Sequence, residues 1–409
     1  MISVATARAR ILDPFVPLPA ETVSLAEALG RVLAAPVLAR ITQPPWPVAT
    51  MDGYALSTAG LDADPPARLT RIGEAAAGHR FTGRVGPGEA VRIFTGAPLP
   101  EGADAVVMQE DADADAETTG ATVAIRVVPR PGQFIRPAGA DFAHGQVGLE
   151  AGRRLTARDI AVAAAMNVPW LRVHRRPRVA ILATGDEVVM PGEPLGADQI
   201  LSSNSLALGA LVTALGGVPL NLGIAGDTPE ALGHAIAGAA GCDLLVTTGG
   251  VSEGEHDLVK AVLIAQGGEL DFWKIAMRPG KPLMFGRIKG VPLLGLPGNP
   301  VSSSVCALVF LEPVLRRFQG LPTDEPAPQP ARLTAPLAAN DQRQEYMRGR
   351  LGRDPDGFWT VTPFRRQDSG LTAVLARADA LIVRPPQAPA AAAGSVVPVL
   401  PLGGGCLSV

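Results

Sequence analysis

The chain has 409 residues, 47% hydrophobic and 18% charged, more than one ordinary core accommodates, so two to four soluble domains are expected. A net charge of −3 points away from nucleic acid and acidic membranes, and no apolar run approaches the roughly 18 residues of a membrane span. Cys242, Cys306 and Cys406 are too scattered for a disulfide framework or a zinc site, and the N-terminus lacks a signal-peptide core, so the cytoplasm is the expected location.

Helical periodicity is read over residues 3–12 and 24–35, the second opened by Ser24 with Glu27 three residues on, as in a capping box. From 44 to 137 the texture becomes short strands punctuated by Gly and Pro, which predicts a small β domain. Its acidic stretch, 110–117, reads as a solvated hairpin tip. Helical texture returns at 156–167, so the β domain is expected to be inserted between two helical pieces that pack together. Between 178 and 320 strands alternate with helices, which predicts a parallel-rich sheet covered on both faces, a three-layer α/β domain. The Pro-rich segment 321–331 is a linker, and 332–402 reads as a small all-β domain. The expected boundaries are 1–43 with 138–176, then 44–137, 177–326 and 327–409.

Ligands of open parallel sheets bind beyond the carboxyl ends of the strands. Three loops follow strands there and share Gly, Thr or Ser, and a carboxylate: TGDE (184–187), GIAGD (223–227) and TTGGVSEGEHD (247–257). Right-handed crossovers would bring Glu187, Asp227 and Asp257 to one edge. Beside the backbone of Gly249, Gly250 and Ser252, such carboxylates suit Mg²⁺ or another divalent cation bridging phosphate oxygens. A second constellation, FWKIAMRPGKP (272–282), holds Lys274, Arg278 and Lys281 around a Pro-Gly turn. The chain has only four lysines, so two within eight residues suggest compact ammonium groups meant for a tetrahedral oxyanion. GLPGNPVSSS (295–304) leads from a strand into a helix, whose free N–H groups with the Ser302 and Ser303 hydroxyls would form an anion site. Asp52 of MDGYA, in the β domain, and Asp141, after a Gly-rich turn just beyond it, read locally as turn-forming residues.

Taken together, MDGYA, TGAPLPEGADAVV, TGDE, GGVSEGEHD, FWKIAMRPGKP and LPGNPVS resemble, in order and over nearly the whole chain, the molybdopterin molybdenumtransferase family. That family includes bacterial MoeA and the E domains of gephyrin-type proteins. The resemblance implies a discontinuous helical linker domain, an inserted β domain, a molybdopterin-binding α/β domain and a C-terminal β-barrel. It further implies a homodimer whose cleft combines the α/β domain of one subunit with the β domain of the other. The implied reaction takes adenylylated molybdopterin and molybdate, cleaves the phosphoanhydride with a divalent cation, and releases AMP. Motif by motif, the family's acidic residues fall on Asp52, Asp141, Glu187, Asp227 and Asp257, and its cationic loop on Lys274, Arg278 and Lys281. The helix-start positions fall on Pro297, Pro300 and Ser302, a functional threonine on Thr95, and oxyanion-lining positions on Arg348 and Ser369. Three features depart from the family: PPWPVAT before Asp52, Arg278 in place of a lysine, and Glu253 in place of an apolar residue. A molybdopterin adenylyltransferase, itself a possible transient partner, and a non-catalytic scaffold are the alternative readings.

Overall fold

The computed structural model describes residues 1–61, 65–250, 258–324 and 327–402. Two compact units are formed, one from Thr22–Leu29 and Ala35–Leu171, the other from Met1–Glu21, Gly30–Ala34 and the chain from Arg172 onward.

The smaller unit is built on a six-stranded sheet in the order Ala105–Met108, Gly53–Leu56, Glu89–Ile93, Ala67–Ala75, Thr122–Ile125, Ala112–Ala114. Alternation along these strands feeds two cores: Tyr54 and Leu56 face one, Ala55 and Val91 the other. Gly53 is required where it stands, because a Cβ there would lie 1.8 Å from the Val107 carbonyl oxygen. The acidic stretch is a hairpin as expected, with Asp113 ion-paired to Arg126 at 2.6 Å on its exposed surface.

The second helix expected from the sequence does not form. Only a 3-10 turn, Leu25–Glu27, follows Ser24, whose hydroxyl donates to Glu27 at 2.9 Å. Gly30 then adopts φ +74°, a left-handed conformation that ends the turn, and Leu29 is 61% exposed instead of lying on a buried stripe. Nor does the first helix, α1 (Val4–Leu12), serve as half of a separate helical piece. It belongs to the larger unit, where Val4, Ala7 and Ile11 join the core of the α/β sheet.

That sheet comprises β1 (Arg178–Thr184), β2 (Val218–Ala225), β3 (Leu244–Thr248), β4 (Glu269–Trp273), β5 (Met284–Ile288) and β6 (Val291–Leu296), in the spatial order β2-β1-β3-β6-β5-β4. Strands β2, β1, β3 and β6 are parallel. The expected parallel arrangement is broken at β5, which runs antiparallel to both neighbours. No helix separates β5 from β6, and the Lys289–Gly290 turn, with φ of 47° and 83°, returns the chain directly as a hairpin. Residues of β1 alternate between two cores: Val179 and Ile181 pack toward α1, α2 (Asn204–Ala214) and α5 (Pro300–Cys306), while Ala180 and Leu182 pack toward α3 (Pro229–Ala237) and α4 (Leu258–Ala265). The result is three layers.

The last strands, Gln329–Leu333, Gln344–Arg353, Trp359–Pro363, Ala380–Arg384 and Val396–Pro401, pair in a closed ring and make a five-stranded barrel. The short strand Met277–Arg278 adds to it in parallel, pairing with Gln344 and Glu345.

Candidate functional site

Because β1, β2, β3 and β6 are parallel, the four loops leaving their carboxyl ends lie on one edge of the sheet. A cleft of about 440 Å³ opens there. Glu187 lines it from the β1 loop, Gly249 and Gly250 from the β3 loop, and Pro297, Pro300 and Ser302 from β6 and the start of α5. Six residues singled out by the sequence thus meet in one place. Val188, Ile200 and Leu201 give the cleft an apolar flank. Polar backbone at one wall and aliphatic side chains at another suit a ligand with an anionic end and a flat, less polar body.

The two glycines are needed for their shape. Gly249 has φ +90°, and a Cβ on it would lie 2.5 Å from the Thr184 carbonyl oxygen. Gly250 has φ +62° and would meet the Thr184 hydroxyl and a Val259 methyl, each at 2.7 Å. The ends of β1 and β3 can approach only because these Cβ atoms are missing. We therefore expect Gly249→Ala to cost about 1–3 kcal/mol of stability, read by chemical denaturation, and to lower ligand affinity as the wall shifts. Parent-like stability would show that the close approach is not needed.

The helix start offers fewer donors than the sequence suggests. The Val301 N–H is taken by the Ser369 carbonyl at 3.0 Å, and Asn299 donates to the Ser369 hydroxyl at 3.0 Å. Ser303 is buried with its hydroxyl unpartnered, so Ser302 is the hydroxyl presented to the cleft. Ser369 thereby docks a barrel loop on the helix start. On the barrel strand, Arg348 is 1% exposed; its Nη2 donates to the Asp368 carbonyl at 3.1 Å, while Nε and Nη1 have no partner. Burial pushes its pKa below the ordinary arginine value.

Other predicted residues stand apart from the cleft lining. Asp227 and Asp186 interlock: the Asp227 N–H donates to the Asp186 carboxylate at 2.9 Å, and the Asp186 N–H donates back at 3.4 Å. Arg278 is held by the barrel, 2.8 Å from Glu345 and 3.4 Å from Asp341, and lines a separate hollow. Arg343 and Arg278 together hold the Asp341 carboxyl down to about 2. Lys281 precedes the cleft-lining Pro282, after Gly280, which lies against Cys306 so closely that a Cβ would be 2.4 Å from its sulfur. Lys274 has its ammonium 3.8 Å from the centre of the Trp273 ring. Ser252, Glu253 and Asp257 lie outside the described residues.

In the smaller unit, Asp52 and Thr95 are brought together: the Asp52 carboxylate accepts the Thr95 N–H at 2.7 Å and its hydroxyl at 2.8 Å. These two bonds, with Arg92 nearby, lower the Asp52 pKa below the usual carboxylate value. Thr95 thus gives the Asp52 carboxylate two hydrogen-bond donors despite the departure from the family in the segment before it. Asp141 is exposed, and its N–H is bonded to the Gln43 carbonyl at 3.0 Å.

Two residues were missed by sequence reasoning. Lys260, in the first turn of α4, places its ammonium 4.4 Å from the same Trp273 ring as Lys274. The scarcity of lysine was a signal for it that went unused. Asn204, at the start of α2, lines the cleft, and nothing local in the sequence distinguishes it from a helix cap.

The chain matches the MoeA N-terminal region (domain I and II) over residues 2–167, a probable molybdopterin binding domain over 180–317, and the MoeA C-terminal region (domain IV) over 330–402. It is 40% identical to a molybdopterin molybdenumtransferase of Nostoc sp. over 81% of this chain and 77% of that protein. The chain belongs to the molybdopterin molybdenumtransferase family. A second family member, from Haemophilus influenzae, is 34% identical over 98% of both chains. The crystal structure of the molybdopterin biosynthesis moea protein from Pyrococcus horikosii superimposes with a TM-score of 0.85 at 31% identity, covering 99% of this chain and all of that one. As a molybdopterin molybdenumtransferase, the chain matches its relatives across the α/β domain and both flanking regions alike.

A divalent cation finds only part of a site here. Glu187 and Asp227 supply hard oxygen donors on the same sheet edge, but among the described residues no three acidic, His or Cys side chains are grouped to hold a metal.

Proposed function

We propose that this chain inserts molybdenum into molybdopterin, with adenylylated molybdopterin and molybdate as substrates and AMP and the molybdenum cofactor as products. The observation that carries the reading is the convergence of the carboxyl-edge loops of β1, β3 and β6 on one cleft. Its Gly249–Gly250 wall and the Ser302 helix start suit an anionic group, and its flank of Val188, Ile200 and Leu201 suits the pterin.

In this reading the backbone at Gly249, Gly250 and Ser252 and the Ser302 hydroxyl hold the phosphoanhydride. Lys274 and Lys281, with Arg348 and Ser369 from the barrel, supply charge and donors for molybdate. Arg278 holds the lysine turn against the barrel through Glu345 and Asp341. Glu187, Asp227 and Asp257 would hold Mg²⁺ or another divalent cation accompanying the anhydride, whose charge it would neutralise. The protein is further proposed to be a cytoplasmic homodimer. Asp52, Thr95 and Asp141 of one subunit would face the α/β cleft of the other, with transient contact to the molybdopterin adenylyltransferase. No helix among the described residues is long and apolar enough to cross a membrane.

The test is a reaction of the purified chain with adenylylated molybdopterin and molybdate, scored by AMP release and by molybdenum in the isolated pterin. Absence of both would overturn the reading. The shared cleft has its own test. Asp52→Asn and Asp257→Asn proteins, each inactive alone, should regain activity after subunit exchange, since a mixed dimer keeps one intact site. Verified exchange without recovery would remove the shared site.

A further inference from the structure

Asn204 opens α2 and lines the cleft, yet its side chain does not cap the helix; the cap position is Ser203, which makes no side-chain cap bond. Instead its Nδ2 lies 2.8 Å from the Thr248 hydroxyl and 2.7 Å from the Gly298 carbonyl oxygen. A carbonyl only accepts, so the orientation of the amide is settled by chemistry and Nδ2 must face the loops. Thr248, accepting from Asn204, passes its own proton toward the Pro297 carbonyl at 3.3 Å. Both amide hydrogens are therefore committed. One ties down the residue just before Gly249, and the other the residue just after Pro297. A single side chain sets the distance between the glycine wall and the helix start that carries Ser302.

We propose that Asn204 is a positioning residue that fixes these two walls of the cleft, and that its remaining oxygen, Oδ1, accepts a hydrogen bond from an N–H of the bound pterin. The inference rests on the molybdopterin reading above. Chemically it says that the ligand presents a neutral donor at this point of the cleft, and an anion elsewhere.

The decisive measurement is calorimetric binding of adenylylated molybdopterin to the parent, Asn204→Ala and Asn204→Asp across a range from about pH 7 to about pH 4, which spans the ordinary titration of an aspartate carboxyl. Asn204→Ala should weaken binding about tenfold at every pH, with a thermal midpoint close to the parent's. Asn204→Asp keeps the size and the acceptor but has no donor while ionised. Its affinity relative to the parent should be lowest at the upper end of that range. It should recover as the pH falls and the carboxyl regains an O–H for the Gly298 carbonyl. A merely structural role would give losses that follow stability and do not change with pH. Unchanged affinity in Asn204→Ala, or a flat pH profile in Asn204→Asp, would overturn the proposal. If Asn204→Ala does not fold, the Asn204→Asp profile decides alone. Because binding is read without turnover, a parent that binds but transfers no molybdenum overturns the insertase reading and leaves this measurement standing.

Discussion

Lys281→Ala should raise the molybdate concentration needed for half-maximal cofactor formation by roughly tenfold to a hundredfold. Molybdate is a small tetrahedral dianion, and its site must supply positive charge and short N–H or O–H donors. The loss of one charge-assisted hydrogen bond costs about 1.5–3 kcal/mol, which sets that range. Geometry supports Lys281 for the role. It follows Gly280, which at φ +111° presses directly on Cys306 of α5, and it precedes Pro282 on the cleft wall. The turn is thus seated on the same helix whose start carries Ser302. Excess molybdate should restore most of the rate, because the remaining groups are untouched. A molybdate titration beside the parent gives the answer. An unchanged midpoint with a lower plateau would move Lys281 out of oxyanion capture and into chemistry or structure.

Asp257→Asn and Glu187→Gln are expected to lower insertion by at least roughly tenfold, about 1.4 kcal/mol in the barrier, and no concentration of molybdate should rescue them. Both carboxylates are proposed to act on the phosphoanhydride, a step that molybdate occupancy does not reach. Glu187 is exposed at the cleft, so its amide should leave stability within about 0.5 kcal/mol of the parent. Single-turnover AMP release by each folded variant is the measurement. Near-normal release by Asp257→Asn would remove the carboxylate assignment, and rescue by molybdate would merge the two proposed roles into one site.

Much of the architecture is legible in the sequence. The buried runs RVAILAT, LLVTT and VPLLGL become β1, β3 and β6, because a strand covered on both faces is apolar at every position. Parallel connection then places TGDE, TTGG and LPGNP on one edge. Where expectation and structure part, the causes are local. Residues 24–35 carry a helical hydrophobic pattern, but Gly30 enters the left-handed region after a single turn. The sheet reverses at β5 because a tight turn, where the pattern showed only another strand, joins it to β6.

By itself the sequence determined the order of the elements, the sheet edge that carries the chemistry and the family, since periodicity, turn residues and contiguous motifs act over a few neighbouring positions. Tertiary structure decided which candidates share a cleft and what holds each in place. Arg278 meets Glu345 and Asp341 across more than 60 residues, Ser369 occupies the N–H of Val301, Thr95 reaches Asp52, and Asn204 joins Thr248 to Gly298. A hydrogen-bonding side chain satisfies itself with whatever the folded chain brings within about 3 Å, and that partner is chosen by the packing of distant segments, which no local pattern encodes.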